Sequence, residues 1–433
     1  MLRHTPLFVI VSLMQTEQER YADLLIKIGV NLQPGQGFVI TADLAHAPFV
    51  RLLAASAYKA GAKFVRHVWS DDPSTCVRLM HSPPEYLDYL PEFEIVTQRE
   101  ILDEGWARIR ITGSEFPDAF SEADPATMRR VQSVRAQKLR FVTQAVMADA
   151  VPWCVAAVPT PAWAKKVFPA LSADEGVAQL WQHILHTVRA DQADPIAAWQ
   201  AHDARLNGVV QFMARNQIRA VRFVDEALAD DGNPVTDLTV GLTDTPNWVA
   251  ASASTPQGVR FLPNMPTEEV FTTPHRLRVN GYARTSKPGF PLEREIRDAY
   301  FKFVDGEVVN FNAKVGQDTL QQFFEIKGTK FLGEIALVDV RSPINQSGLT
   351  FFDTLFDENA VCHMAFGTAY PTGVQGAEAM SEDEQLAYGI NKSDAHEDLM
   401  IGTPTTRVTG ICADGREVLV MQSGQFVAEV NGD

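Results

Sequence analysis

The chain has 433 residues, 45% of them apolar and 21% charged, a globular composition long enough for two or three domains and incompatible with disorder throughout. Acidic residues outnumber basic ones 54 to 38, for a formal net charge of −16. Such a surface repels phosphate backbones and anionic lipid, which argues against general nucleic-acid and membrane partners. Four cysteines (Cys76, Cys154, Cys362, Cys412) stand apart without a CxxC pair, which excludes a disulfide scaffold and a cysteine-built zinc module and makes a reduced, cytoplasmic protein the expectation.

Leu7–Met14 is an apolar run of about eight residues behind Arg3 and His4, far short of the roughly 20 that span a bilayer. No small-residue cleavage site follows it. Residues 1–16 therefore read as a leader or start-site extension, with Met14 as the expected start. From Glu17, Tyr21, Leu24, Leu25 and Ile28 recur at helical spacing, and the helix should stop near Gly29. A strand over Phe38–Thr41, a helix over Pro48–Ala60 ending at Gly61, and a strand over Lys63–Trp69 make a βαβ unit, so the sheet should be at least partly parallel. Further strands are expected at Ala107–Gly113 and Trp153–Val158. Helices are expected over Ala126–Ala148, Trp163–Phe168 and Asp174–Val188. This first α/β domain, 17–220, lacks GxGxxG and GxxxxGK[ST], so it reads as a structural layer rather than a nucleotide site.

Near residue 215 the texture changes to short β-rich segments: Ile218–Val224, Thr236–Leu242, Trp248–Ser252 and Val259–Leu262. Asp305-Gly306 between apolar flanks, and Asp414-Gly415 nearer the C-terminus, signal hairpins. An α+β domain over 221–433 is expected.

Ten histidines are thinly spread. His183 and His186 sit one helical turn apart but without an acidic third ligand in register, and they read as structural. His4, His46, His67, His81, His202 and His275 have no local ligand partners. The C-terminal half differs. Glu268 and Glu269 follow a proline turn and run into apolar residues, so at least one should point inward. Glu334 is a lone acid entering an apolar strand, where a charge is costly without a compensating cation. His363 ends the segment Thr354–His363, with Tyr370 seven residues on. His396 and Asp398 would share one face of an extended strand. Together Glu268, Glu334, His363, His396 and Asp398 offer three carboxylates and two imidazoles, a set suited to Zn²⁺, Co²⁺ or Mn²⁺. Five ligands with carboxylates free to bridge suit two ions better than one.

The blocks AsnMetProThrGluGluValPheThr, ThrLeuPheAspGluAsnAlaValCysHis and HisGluAspLeuMetIleGly resemble signature segments of the thermophilic-type metalloaminopeptidases, the aminopeptidase T, S and II family. The similarity runs from about Glu17 to the end and includes TyrAlaAspLeuLeuIleLysIleGlyValAsnLeuGlnProGlyGln and AlaAlaValProThrProAlaTrpAla. The resemblance implies a dimeric two-metal exopeptidase acting on short peptides, with an N-terminal α/β domain and a metal-bearing C-terminal domain. It puts the metal ligands on the same five residues and an oxyanion-donating hydroxyl on Tyr370. Leu399 and Met364 depart from the family's usual residues without touching a ligand. Glu269 and Glu334 are the alternatives for the general base. Two other readings stand beside the peptidase: a mononuclear Fe(II) ring-cleaving dioxygenase of related fold, which needs only three ligands, and a non-catalytic, metal-stabilised peptide-binding protein.

Overall fold

The computed structural model describes residues 7–431 apart from 118, 121, 122, 230 and 231; His4 and the rest of 1–6 lie outside the described residues. The first half runs α1 (Leu7–Leu24), β1 (Gly37–Asp43), α2 (Ala47–Lys59), β2 (Phe64–Ser70), α3 (Asp72–His81), α4 (Glu92–Asp103) and β3 (Ala107–Thr112). It continues through α5 (Pro125–Lys138), α6 (Arg140–Met147), β4 (Trp153–Ala157), α7 (Pro161–Val167), α8 (Ala173–Thr187) and α9 (Pro195–Arg215). Then come β5 (Ile218–Asp225), β6 (Asp237–Leu242), the short β7 (Ala253–Ser254), β8 (Arg260–Phe261) and β9 (Asn264–Met265), and β10 (Glu269–Thr272). The remainder is β11 (Pro274–Arg284), β12 (Tyr300–Val304), β13 (Glu307–Asn312), α10 (Gln317–Phe323), β14 (Leu332–Val338), α11 (Pro343–Gln346), α12 (Thr354–Asp357), β15 (His363–Gly367), α13 (Glu382–Ala387), β16 (His396–Met400), β17 (Thr406–Cys412), β18 (Glu417–Gln422), β19 (Gln425–Phe426) and α14 (Ala428–Asn431).

Two compact units result: Met1–Gln200 with Ser252–Pro266, and Ala201–Ala251 with Thr267–Asp433. The boundary therefore differs from the expected 220. Asn264 and Met265 pair with Val155 and Ala156, which returns the 252–266 segment to the first unit; a long-range pairing of two residues leaves no compositional trace. The first unit is α/β, with a sheet in the order β2-β1-β3-β4-β9 whose neighbours are all parallel. The helix expected from Glu17 begins upstream, at Leu7, and closes in a wider turn at Gly29. The single helix expected over 126–148 is two, because Leu139 leaves helical geometry (φ −105°, ψ 16°). Helices α3, α4 and α9 carry no expectation from sequence. Among the described residues, no helix is long and apolar enough to cross a membrane.

The second unit holds two antiparallel sheets, β13-β12-β11-β6-β5-β17-β18-β19 and β10-β14-β15-β16. The Asp305-Gly306 turn joins β12 to β13, pairing Val304 with Glu307; both turn residues have positive φ, 48° and 86°, the hairpin geometry that favours this dipeptide. The segment 248–252 is not a strand; Val249 makes only an isolated bridge to Phe271. β14 and β15 are buried along their whole length, so both faces of the smaller sheet are covered. On one face Phe366 packs against Phe301 at 5.0 Å and Phe324 at 5.4 Å between ring centroids. The opposite face carries the acids and histidines.

Candidate metal centre

Strand alternation builds the site. Ala336 pairs with His363, Glu334 with Ala365, and Ala365 in turn with Asp398; Gly367 pairs with His396. Because side chains repeat every two residues, Glu334, His363, His396 and Asp398 all project from the same face, away from Phe366. Glu269 opposes Val338 at the start of β10 and joins that face. Gly333 is the extra residue of a bulge just before Glu334; a Cβ there would lie 2.2 Å from the Thr368 carbonyl oxygen. Glycine thus permits the close backbone approach at the start of β14, one residue before its acid.

Two trios of ligand atoms lie within 4.8 Å of one another: Glu269, Glu334 and His363, and Glu334, His396 and Asp398. His363 Nε2 is 3.2 Å from Glu269 Oε2 and 3.5 Å from Glu334 Oε1. His396 Nε2 is 3.6 Å from Glu334 Oε2 and 3.5 Å from Asp398 Oδ1. Glu334 therefore turns one oxygen to each trio. The Thr368 carbonyl lies 2.8 Å from His396 Nδ1. A carbonyl only accepts, so Nδ1 carries the proton and Nε2 is the nitrogen that faces the acids.

Glu268, expected among the ligands, is elsewhere. Its carboxylate lies 3.5 Å from His202 Nε2 and 3.9 Å from Arg205 Nη2, on the other side of the chain from Glu269. The physical reason is register: two adjacent residues entering a strand face opposite ways, and Glu269 is the one in phase with the sheet. Sequence reasoning also missed Glu358, which follows α12 and hydrogen-bonds Asp398, and the buried Asn359. His202, read from sequence as partnerless, is part of this supporting layer. His183 stacks on Phe168 and His186 Nδ1 meets Asp191 at 2.7 Å, in keeping with their structural reading.

Crowding the acids shifts their protons. Burial lifts Glu334 to about 7. Burial, then Asp398 and Glu269, raise Glu358 well above the carboxylate range. For His396 burial opposes the charge, but Asp398 and Glu334 outweigh it and hold the imidazolium up to about 10. His363 is likewise raised against its burial by Glu269 and Glu334. Asp398, pushed up by burial, is brought below its usual range chiefly by His396. Burial and then the nearby carboxylates, Glu334 first, raise the Tyr370 hydroxyl, so it stays a donor. Its ring packs at 4.9 Å on His396 and 6.1 Å on Phe271.

The residues fit a divalent cation. Glu269 Oε2 is buried with no hydrogen-bond partner, although His363 Nε2 lies 3.2 Å away. Buried acceptors are rarely left so. An oxygen–nitrogen donor set around such an atom suits Zn²⁺, Co²⁺ or Mn²⁺.

An α/β unit and an antiparallel unit carrying carboxylate–imidazole trios define a metal-dependent enzyme. The chain matches the thermophilic metalloprotease (M29) family over residues 14–426, and it belongs to that family: it is a metallopeptidase. It is 39% identical over 418 residues to Aminopeptidase 2 of Geobacillus stearothermophilus, covering 96% of this chain and 99% of that one. It is 37% identical over 409 residues to Aminopeptidase T of Thermus aquaticus, covering 94% and 98%. The solved structure of wild-type AmpT from Thermus thermophilus matches with a TM-score of 0.85 at 35% identity, covering 96% of this chain and all of that one.

Proposed function

We propose that this protein is an aminopeptidase that removes N-terminal residues from short peptides at a site for two divalent metal ions. The observation that carries the reading is Glu334, with Oε1 toward His363 and Oε2 toward His396, the arrangement of a carboxylate shared between two cations. One iron would need only one trio, so sharing favours the pair over the ring-cleaving oxygenase. Glu269, His363, His396, Asp398 and Glu334 would hold the ions. Zinc, cobalt and manganese all suit these donors.

Bound there, divalent cations would polarise the scissile carbonyl and lower the pKa of water. The chain's own groups do the rest. The proton leaving the attacking water is assigned to Glu358, the buried carboxyl beside Asp398 that is not among the five ligands and that nearby cations would hold ionised. Tyr370, kept protonated, donates to the oxyanion that develops on the carbonyl. Glu269 and Glu334, the two alternatives for the base, are both taken up as ligands.

The cytoplasmic location and homodimer belong to the same proposal. Four unpaired, buried cysteines suit a reducing compartment, and the family resemblance supports the dimer, which sedimentation equilibrium would read. The function is tested by chelation. Metal-stripped protein should lose hydrolysis of leucine- or arginine-nitroanilide and regain it with Co²⁺ or Zn²⁺. Full activity in metal-free protein would refute the proposal.

A further inference from the structure

The peptide group between Thr267 and Glu268 is gripped at both ends by buried side chains. Its N–H, that of Glu268, donates to Asn359 Oδ1 at 2.7 Å. Its carbonyl, that of Thr267, lies 2.8 Å from His202 Nε2. The tautomer follows from the neighbours. Arg205, a donor only, approaches His202 Nδ1 at 3.4 Å, so Nδ1 accepts and Nε2 carries the hydrogen that the Thr267 carbonyl takes. Asn359 is oriented the same way: its amide nitrogen donates to the Leu355 carbonyl at 3.1 Å and faces Glu358 Oε1 at 3.4 Å, leaving the oxygen for Glu268. Asn359 is fully buried and His202 is 6% exposed.

This peptide lies one residue before the β10 ladder, whose pairing begins at Glu269. Sheet hydrogen bonds therefore do not fix it; the two side chains do. Glu268 adds a third tie, its carboxylate facing His202 and Arg205. On the reading that Glu269 is a metal ligand, we infer that His202 and Asn359 are positioning residues: they lock the plane of the Thr267–Glu268 peptide and so hold Glu269 at the metal centre. His202 comes from α9 and Asn359 from the turn that also supplies Glu358, so the clamp ties three segments of the second unit to one ligand. Residues that orient a ligand carry much of a site's affinity, typically 10–100-fold per partner.

The test is metal affinity, measured by calorimetry on the full-length protein with Zn²⁺. Asn359→Ala and His202→Ala should each weaken binding about 10–100-fold, while His202→Gln, which keeps a donor for the Thr267 carbonyl, should recover most of it. Glu269→Gln is the control and should lose more than either. If Glu269→Gln binds Zn²⁺ like the wild type, the ligand reading beneath this inference falls. If Glu269→Gln weakens binding while the two alanine variants match the wild type, the clamp falls and the ligand reading stands. A second measurement needs no variant. In metal-free protein the Glu268 amide should be protected from hydrogen exchange although it lies outside the ladder, and exchange at an open-loop rate would overturn the clamp.

Discussion

Glu334→Gln should lower kcat/KM by at least about 1000-fold, since a group shared by both trios acts as part of a unit whose loss removes most of the catalysis. Metal-free Glu334→Gln should nevertheless melt no lower than the wild type. Glu334 enters a strand buried along its whole length, and burial raises its pKa to about 7 from an ordinary 4.5. A raised folded-state pKa means that the protonated form is the one folding favours. The stabilisation is complete below the ordinary value and is lost as pH rises through about 7, where the buried carboxyl ionises. Glutamine mimics the protonated form at every pH. Metal-free variant and wild type should therefore melt alike near pH 5 and separate above pH 7 in the variant's favour. A structural role for Glu334 predicts the reverse: the variant would melt lower throughout, in step with its activity.

Metal binding should expel about two protons per chain at pH 8. Asp398 and Glu334 overcome the burial of His396 and hold its imidazolium up to about 10, and Glu269 and Glu334 raise His363 well above the ordinary imidazole range, so without metal both rings favour the charged form. A ring coordinates through a deprotonated nitrogen, so each must release its proton. Apparent affinity should then fall about 100-fold for each pH unit lost, tenfold per proton. Toward pH 7 and below, Glu334 adds a further proton. Calorimetry in two buffers of different ionisation heat counts the protons, and a count near zero would mean that neither imidazole is a ligand. The same shifts set the metal-free protein's own stability. The ion pair of His396 with Asp398 contributes fully below the ordinary 6.5 of the ring and is lost as pH passes about 10, so alkali should destabilise the metal-free form.

Much of the site was legible because its chemistry is written in composition. A lone acid such as Glu334 inside an apolar strand demands a compensating partner, and His396 and Asp398 two residues apart share a face only in an extended strand, the conformation β16 adopts. What the sequence withheld was phase. Glu268 and Glu269 are chemically identical, and a slip of one residue exchanges which of them faces the sheet's buried side; only the pairing of Glu269 with Val338 decides it. His202 was illegible for another reason, since its partner, the Thr267 carbonyl, is 65 residues away and is a backbone atom with no residue-type signature. The fold divides similarly. The βαβ opening and the Asp305-Gly306 hairpin rest on local signals and are present as expected. The domain boundary rests on the two-residue pairing of β9 with β4, which no local pattern announces.

Side chains distant in sequence are proposed to hold a pair of cations around Glu334. Anomalous scattering at the cobalt edge from crystals loaded with Co²⁺ tests it most directly. Two peaks should appear, one touching Glu269 and His363, the other His396 and Asp398, each with one Glu334 oxygen. A single peak, peaks away from these side chains, or a cobalt ion on Glu268 would contradict it.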